Sequence, residues 1–233
     1  MKWAYGITTV PGRPTLPGTI QSLAAGGFDA PRLFVDGEGG DYSGFEVTRH
    51  VPPLRPFGNW LLALWELYIR NPSARRFAIF QDDVLCYRNL RQYLETQVLK
   101  PNTYWNLVTQ LGNEAMVQNK PVGWMESGLL GYSSVKQCGL GALGLVFSRE
   151  AALTLLSAPT IAIKPACVEY GHRKIDGAVV EAMNRADFRE YIHNPTLLYH
   201  TGHISTMGNT GLFREAWTWR GEDFDALKLA AER

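Results

Sequence analysis

Cysteine is scarce in this sequence: Cys86, Cys138 and Cys167 are the only three among 233 residues. An odd count at wide spacing argues against a disulfide framework, and no pair has the spacing of a metal finger. A reducing cytoplasm is the setting this implies. Charge is also sparse, at 19%, and it is balanced along the chain. Residues 1–80 hold eight basic and six acidic groups, residues 81–160 six of each, and residues 161–233 nine and ten. No segment is a polycationic arm, so composition gives no support to non-specific nucleic-acid binding. A local basic groove stays open, because folding gathers scattered charges. Long apolar runs are missing as well. The longest, Gly139 to Phe147, is too short to span a bilayer. No apolar stretch follows Met1-Lys2-Trp3, so no signal peptide is expected.

What is present describes a folded domain. The hydrophobic set makes up 45%, aromatics 12%, and the net charge is +1, which excludes a solvated coil. A chain of this length buries roughly 70–75% of its unfolded surface and needs no covalent staple.

Segments 2–10 (KWAYGITTV), 31–36 (PRLFVD), 45–51 and 76–81 (RFAIFQ) read as strands. Helices are predicted over 15–25, ending at Gly26-Gly27, and over 58–70, ending at Asn71-Pro72. A helix near 88–99 and a strand near 103–109 follow. Residues 110–140 are Gly-rich, polar and aromatic, and read as an irregular insertion. GALGLVFSREAALTLLS (141–157) reads as a strand and a helix capped by Ser148. Residues 175–186 look helical, 195–200 form a late strand, 202–211 a loop, and 222–232 an amphipathic helix. Strands alternating with helices predict an α/β sheet, mostly parallel at first. Trp60, Trp65 and Tyr68, at helical spacing, are expected in the core. Trp105, Trp124 and Tyr132 are core candidates as well, though sugars and nucleobases stack on such rings.

Ligands on such sheets bind at the carboxyl ends of strands, which puts Thr8, Thr9, Asp36, Asp82 and Asp83 on one rim. Phe80-Gln81-Asp82-Asp83-Val84 is the sharpest signal. Two carboxylates at the end of a buried strand repel each other and call for a compensating cation. A divalent ion bridging carboxylate and phosphate oxygens is one answer. A strand-end turn with one Asp as a cap is the other.

YGITTVPGR, RLFVDG and FAIFQDDV, in that order, resemble glycosyltransferases of the GT-A fold. The resemblance covers about residues 2–205 and rests on architecture and short motifs. It implies a GT-A-like, Rossmann-like mixed sheet, mostly parallel and flanked by helices. It implies one domain, with a nucleotide-binding part over about 1–110 and an acceptor side over about 111–233. Asp83 would hold Mn²⁺ or Mg²⁺ on the diphosphate of a nucleotide sugar, most simply a UDP-sugar. Asp82 would bind sugar or ribose hydroxyls. The motif reads Gln-Asp-Asp, a variant of the family's DXD pattern.

Thr8, Thr9 and Arg13 would line the nucleotide pocket, with Arg13 offering a fork to phosphate. Asp36 would accept from a base N–H. Asn59 matches a nucleotide-contacting position, or is a helix cap. Gly141 and Ala142 would let backbone approach the donor sugar, or merely pack closely. Asp176, with Glu169 and Glu181 as weaker substitutes, would be the base that deprotonates the acceptor hydroxyl. It suits a helix start equally. His200 would be a further metal ligand, with His203 in reserve. Inversion in a single displacement is the implied course.

The opening is similar to small soluble phage-type glycosyltransferases, some of which modify hydroxymethylated bases in DNA. That makes 5-hydroxymethyl-pyrimidine DNA one candidate acceptor, and glycans or lipid-linked sugars the other, with no membrane partner. A DNA acceptor requires Lys164, Arg173, Lys174, Arg185, Arg189 and Arg214 to form one basic face. Two rivals belong to other classes. A nucleotidyltransferase usually opens with a Gly-rich basic loop, and VPGRP has one Gly and one Arg. A non-catalytic nucleotide-sugar-binding module would need neither Asp176 nor metal.

Overall fold

The computed structural model describes residues 1–110, 119–128, 140–163, 175–202 and 216–232. Its strands are β1 (Trp3–Thr9), β2 (Arg32–Asp36), β3 (Val47–His50), β4 (Arg76–Gln81), β5 (Val84–Cys86), β6 (Thr103–Asn106), β7 (Gly123–Glu126), β8 (Gly144–Ser148), β9 (Arg189–Asn194) and β10 (Leu198–His200). Its helices are α1 (Leu16–Ala25), α2 (Arg55–Arg70), α3 (Leu90–Thr96), α4 (Arg149–Ser157), α5 (Pro159–Ile163) and α6 (Ile175–Arg185), followed by a 3₁₀ turn over Ala226–Ala231. Ser148 caps α4 as its sequence predicts, its hydroxyl accepting from the Ala151 N–H.

Eight strands form one sheet in the order β3-β2-β1-β4-β8-β6-β9-β7. The first four are mutually parallel, β8 runs against both its neighbours, β6 and β9 are parallel, and β7 is antiparallel to β9. The sheet is therefore mixed but mostly parallel, with helices on both faces. Strand alternation assigns the faces. Phe77 and Ile79 of β4 join the core under α2, α4 and α6, while Ala78 and Phe80 join the core under α1 and α3. Every residue of Arg76–Phe80 is buried, as a central strand covered on both faces requires.

Register aligns the ends. Thr8 lies beside Gln81, Thr9 beside Val35, and Asp36 beside His50. The expected rim thus exists. Because β8 is antiparallel, with Gly144 opposite Phe80, the segment entering it (141–143) reaches the same rim.

Some expectations need correction. The insertion at 110–140 contains β7, which pairs with β9 and forms one edge of the sheet. Trp60 is fully buried, but Trp65 is 37% exposed on the outer side of α2, so only part of that aromatic stripe is core. Trp105 is buried and stacks on Trp124 with ring centroids 4.4 Å apart, which makes that pair core filling. No helix among the described residues is long and apolar enough to cross a membrane.

Candidate active site

Asp82 and Asp83 form the short link between β4 and β5. Each is only 6% exposed, so both carboxylates require partners from the protein. Three segments supply them. From the end of β1, the Thr9 hydroxyl donates to Asp82 Oδ2 at 2.6 Å. From the β1–α1 loop, Arg13 Nε donates to Asp82 Oδ1 at 3.0 Å and Nη2 to Asp83 Oδ2 at 2.9 Å. From β10, His200 Nε2 lies 3.1 Å from Asp83 Oδ2.

Local structure explains each approach. Gly12, at φ +73°, turns the short loop after β1 so that Arg13 faces the carboxylates. β10 pairs antiparallel with β5, placing His200 opposite Val84, and the Thr201 N–H donates to Asp83 O at 2.9 Å. The other edge of β5 is held by α1: Thr19 Oγ1 accepts from the Val84 N–H and Ser22 Oγ from the Cys86 N–H. Gly202 completes the site. A Cβ there would lie 2.7 Å from both Asp83 Oδ2 and His200 Nε2. No other residue type fits without moving that pair.

The two carboxyls titrate in opposite directions. Burial pushes Asp82 up, and the Thr9 hydroxyl and Arg13 only partly offset it. Burial pushes Asp83 up as well, but the His200 ring and the Arg13 charge outweigh it and hold Asp83 below the usual carboxylate range. Partial burial works against the Arg13 charge, yet the two carboxylates keep its guanidinium above its ordinary value. The cation demanded by the Asp pair is thus supplied from within the chain.

Among the described residues, no group of three or more His, Cys, Asp or Glu side chains is placed to hold a metal. Two donors nevertheless suit one. Mg²⁺-type ions take one or two protein ligands and complete their shell with water and substrate phosphate. Neighbouring ligands of an octahedral ion at about 2.1 Å lie about 3 Å apart, and Asp83 Oδ2 and His200 Nε2 are separated by 3.1 Å. Among the described residues, the buried atoms Asp83 Oδ1 and His200 Nδ1 have no hydrogen-bond partner. The donor set fits a divalent ion, with Arg13 Nη2 as the competing cation.

The remaining predicted residues fall into two groups. Thr8 donates to Phe80 O at 3.3 Å, and Asp36 Oδ1 accepts from the Leu54 N–H at 2.6 Å. Asn59 is not a helix cap. It lies inside the first turns of α2, is 3% exposed, donates to Phe34 O at 3.0 Å and contacts His50 Nδ1 at 2.8 Å. Thr8 thus ties β1 to β4, while Asp36 and Asn59 tie the ends of β2 and β3 to the start of α2.

Gly141 (φ +78°), Ala142 and Asp176 form the second group. Asp176 Oδ2 accepts from the Gly141 N–H at 3.0 Å and Oδ1 from the Gly177 N–H at 2.8 Å, at the start of α6. Ala142 O accepts from Gln81 Nε2 at 3.2 Å, and Gln81 directly precedes Asp82. Asp176 is therefore tied to the rim through Gly141, Ala142 and Gln81. Glu181 instead pairs with Arg185 on the outer side of α6 at 3.1 Å.

Sequence reading missed the support beneath Gly141. Asn106 Nδ2 donates to Gly141 O at 2.8 Å and to Glu190 Oε1 at 3.0 Å, and Tyr104 OH lies 3.4 Å from Glu190 Oε2. Burial pushes the Glu190 carboxyl up to about 7, with Asp176 adding to the shift. Also missed was a cavity of about 520 Å³ beside Arg13, lined by Leu16, Pro17, Ile20, Tyr42 and Phe45 among others. His203, Glu169, Tyr132, Lys164, Arg173, Lys174 and Arg214 lie outside the described residues. Of the predicted basic face, Arg185 pairs with Glu181, and Arg189 with Glu126 at 3.5 Å, so both spend their charge locally.

Sheet order and helices on both faces give a Rossmann-like α/β fold that resembles those of GT-A enzymes and nucleotidyltransferases. Solved structures show a matching likeness. GalNAc-T7 with UDP, GalNAc and Mn²⁺ aligns at TM-score 0.54 and 10% identity, over 89% of this chain and 45% of that one. The UTP-bound UGPase from Acinetobacter baumannii aligns at TM-score 0.49 and 12% identity, over 89% and 90%. A mannose-1-phosphate geranyltransferase from Thermus thermophilus aligns at 0.45 and 10%, over 83% and 74%. At such identities the likeness is one of fold, and this chain spans less than half of GalNAc-T7. No family model matches the chain, and no curated protein does.

Proposed function

We propose that the protein transfers a sugar from a nucleotide sugar, most simply a UDP-sugar, to an acceptor hydroxyl, with a divalent ion at Asp83 and His200. The observation that carries this reading is the buried Asp82–Asp83 pair at the end of β4, met by Thr9, Arg13 and His200. The GT-A-like sheet supports it, as does the UDP and Mn²⁺ bound by GalNAc-T7 on a similar fold.

When bound, the ion neutralises the diphosphate and makes it a better leaving group. Thr8, Thr9 and Asp36 line the nucleotide side of the rim, and Arg13 forks onto phosphate. Asp82 accepts from sugar or ribose hydroxyls. The backbone at Gly141 and Ala142 borders the donor sugar. Asp176 takes the proton of the acceptor hydroxyl as its oxygen bonds to the anomeric carbon. The bond from that carbon to the diphosphate breaks, the nucleoside diphosphate leaves, and configuration inverts. Asp176 already accepts from two backbone N–H groups, which hold the carboxylate in place with lone pairs to spare.

The test is release of UDP from a panel of UDP-sugars with Mn²⁺, offered hydroxymethylated DNA, glycans or lipid-linked sugars as acceptor. The reading predicts release that requires one of these acceptors and is lost in Asp83→Ala. Pyrophosphate release from UTP and a sugar phosphate would instead mark a nucleotidyltransferase. Nucleotide-sugar binding that survives Asp83→Ala without turnover would mark a binding module.

A further inference from the structure

We infer that Arg13 is a built-in placeholder for the divalent ion, so that the metal binds only when an anionic diphosphate draws Arg13 away. The inference rests on the transferase reading and concerns the order in which its ligands assemble. Three observations carry it. Arg13 lies across both carboxylates at hydrogen-bond distance, Nε on Asp82 and Nη2 on Asp83. Its Nη2 and His200 Nε2 converge on one atom, Asp83 Oδ2, at 2.9 and 3.1 Å. Gly202 lies against the same pair, since a Cβ added there would come within 2.7 Å of both Asp83 Oδ2 and His200 Nε2. An ion seated between Asp83 Oδ2 and His200 Nε2 therefore competes with the guanidinium for the same oxygen.

Charge decides the competition. Asp82 and Asp83 are buried and carry two negative charges between them, partly neutralised by Arg13. A divalent ion added beside Arg13 places like charges a few ångströms apart in a poorly solvated site. Expelling Arg13 to water instead leaves the Asp82 carboxylate, among the described residues, with the Thr9 hydroxyl alone. Either route opposes binding of the bare ion. A diphosphate changes the balance, because it takes the guanidinium fork while offering its own oxygens to the ion. Arg13 also lines the cavity beside α1, so the side chain has open space into which to turn. Metal and nucleotide then bind cooperatively, and linkage makes the effect reciprocal: whatever factor UDP adds to Mn²⁺ affinity, Mn²⁺ adds to UDP affinity.

The experiment is Mn²⁺ titration of the purified protein, read by the electron paramagnetic resonance of free Mn²⁺, with and without UDP. Wild type is expected to bind Mn²⁺ weakly alone and about tenfold or more tightly with UDP. Arg13→Gln is expected to bind Mn²⁺ alone about tenfold more tightly than wild type, with most of the UDP dependence gone. Its melting temperature should rise with Mn²⁺ alone, where that of wild type does not. If Arg13→Gln does not fold, Arg13→Lys keeps the charge but loses the fork, and should show intermediate Mn²⁺ affinity without UDP. Mn²⁺ binding by wild type at full strength without UDP would overturn the inference. So would an Arg13 variant that binds the bare ion no better than wild type. Should wild type still bind Mn²⁺ with UDP in that case, the transferase reading survives. Absence of Mn²⁺ binding with UDP as well would remove both.

Discussion

His200 and Asp83 stand 117 positions apart in the chain, yet His200 Nε2 lies 3.1 Å from Asp83 Oδ2. The antiparallel pairing of β5 with β10 makes the contact. A carboxylate and an imidazole, both buried, aimed at one point and flanked by Gly202, form a site in which small changes are costly. Asp83→Asn is expected to lower turnover of the UDP-sugar by a factor on the order of 10²–10³, through loss of charge stabilisation at the leaving group. Steady-state UDP release checks it. Unchanged turnover would remove Asp83 from the mechanism.

Gly202→Ala should act without touching the chemistry of any ligand. The added Cβ would sit 2.7 Å from both Asp83 Oδ2 and His200 Nε2. The pair must spread, and Mn²⁺ affinity in the presence of UDP should fall about 10–100-fold, as it does when metal-site support is disturbed. The protein should remain folded by circular dichroism.

Asp176→Asn separates catalysis from donor binding. Asparagine keeps one oxygen to accept a backbone N–H but cannot take a proton. Turnover should fall by a factor on the order of 10²–10⁴, while UDP affinity with Mn²⁺ stays within about twofold of wild type. Equal losses in both would make Asp176 a structural anchor for Gly141.

Glu190 gives the fold a pH dependence of known sign. Its carboxyl is pushed up to about 7 from an ordinary value of 4.5, chiefly by burial. Between those values the native state holds a proton that the unfolded chain has released. Stability must therefore fall as pH rises from about 4.5 to about 7, by an amount on the order of 3 kcal/mol. Glu190→Gln, which cannot ionise, should flatten that part of the curve in urea unfolding. A slope unchanged in the variant would assign the dependence elsewhere.

Arg76 tests stability away from the site. Its side chain is buried between the rings of Trp3 and Trp105, 5.3 and 4.7 Å from their centroids, and donates to the Leu94 and Gln97 carbonyls at the end of α3. Arg76→Ala removes the Gln97 carbonyl's side-chain donor and one of the two donors to the Leu94 carbonyl, which also accepts from the Gln97 N–H, and with the lost ring contacts should cost about 3 kcal/mol. That lowers the melting temperature by roughly 10 °C, with activity per folded molecule retained.

Much of this architecture is legible in the chain itself. RFAIFQ reads as a central strand because it is apolar on both faces, and Asp82-Asp83 mark its end. Ser148 announces α4 because its hydroxyl has a defined task at a helix start. β9 is not legible. REYIHN carries Arg189, Glu190, His193 and Asn194, and no hydrophobic pattern marks it as buried. Glu190 is satisfied by Asn106, and His193 by Tyr93 OH at 2.7 Å and Pro195 O at 2.7 Å, all distant in sequence or set by the turn after the strand. Arg13 reads in the sequence as a candidate phosphate fork, and its contacts with Asp82 and Asp83 depend on how the β1–α1 loop folds back. Asn59 likewise reads as a cap only until β2 and β3 are placed beside it.

Thermal unfolding with UDP, UDP-sugars and other nucleotides, with and without Mn²⁺, tests the central claim most directly, since a ligand that binds the native state raises the melting temperature by mass action. Wild type should be stabilised by UDP or a UDP-sugar only when Mn²⁺ is present, and Asp83→Asn should show no such response. No stabilisation of wild type by any nucleotide with Mn²⁺ present would contradict the account and leave Asp82-Asp83 as a buried turn held by Arg13.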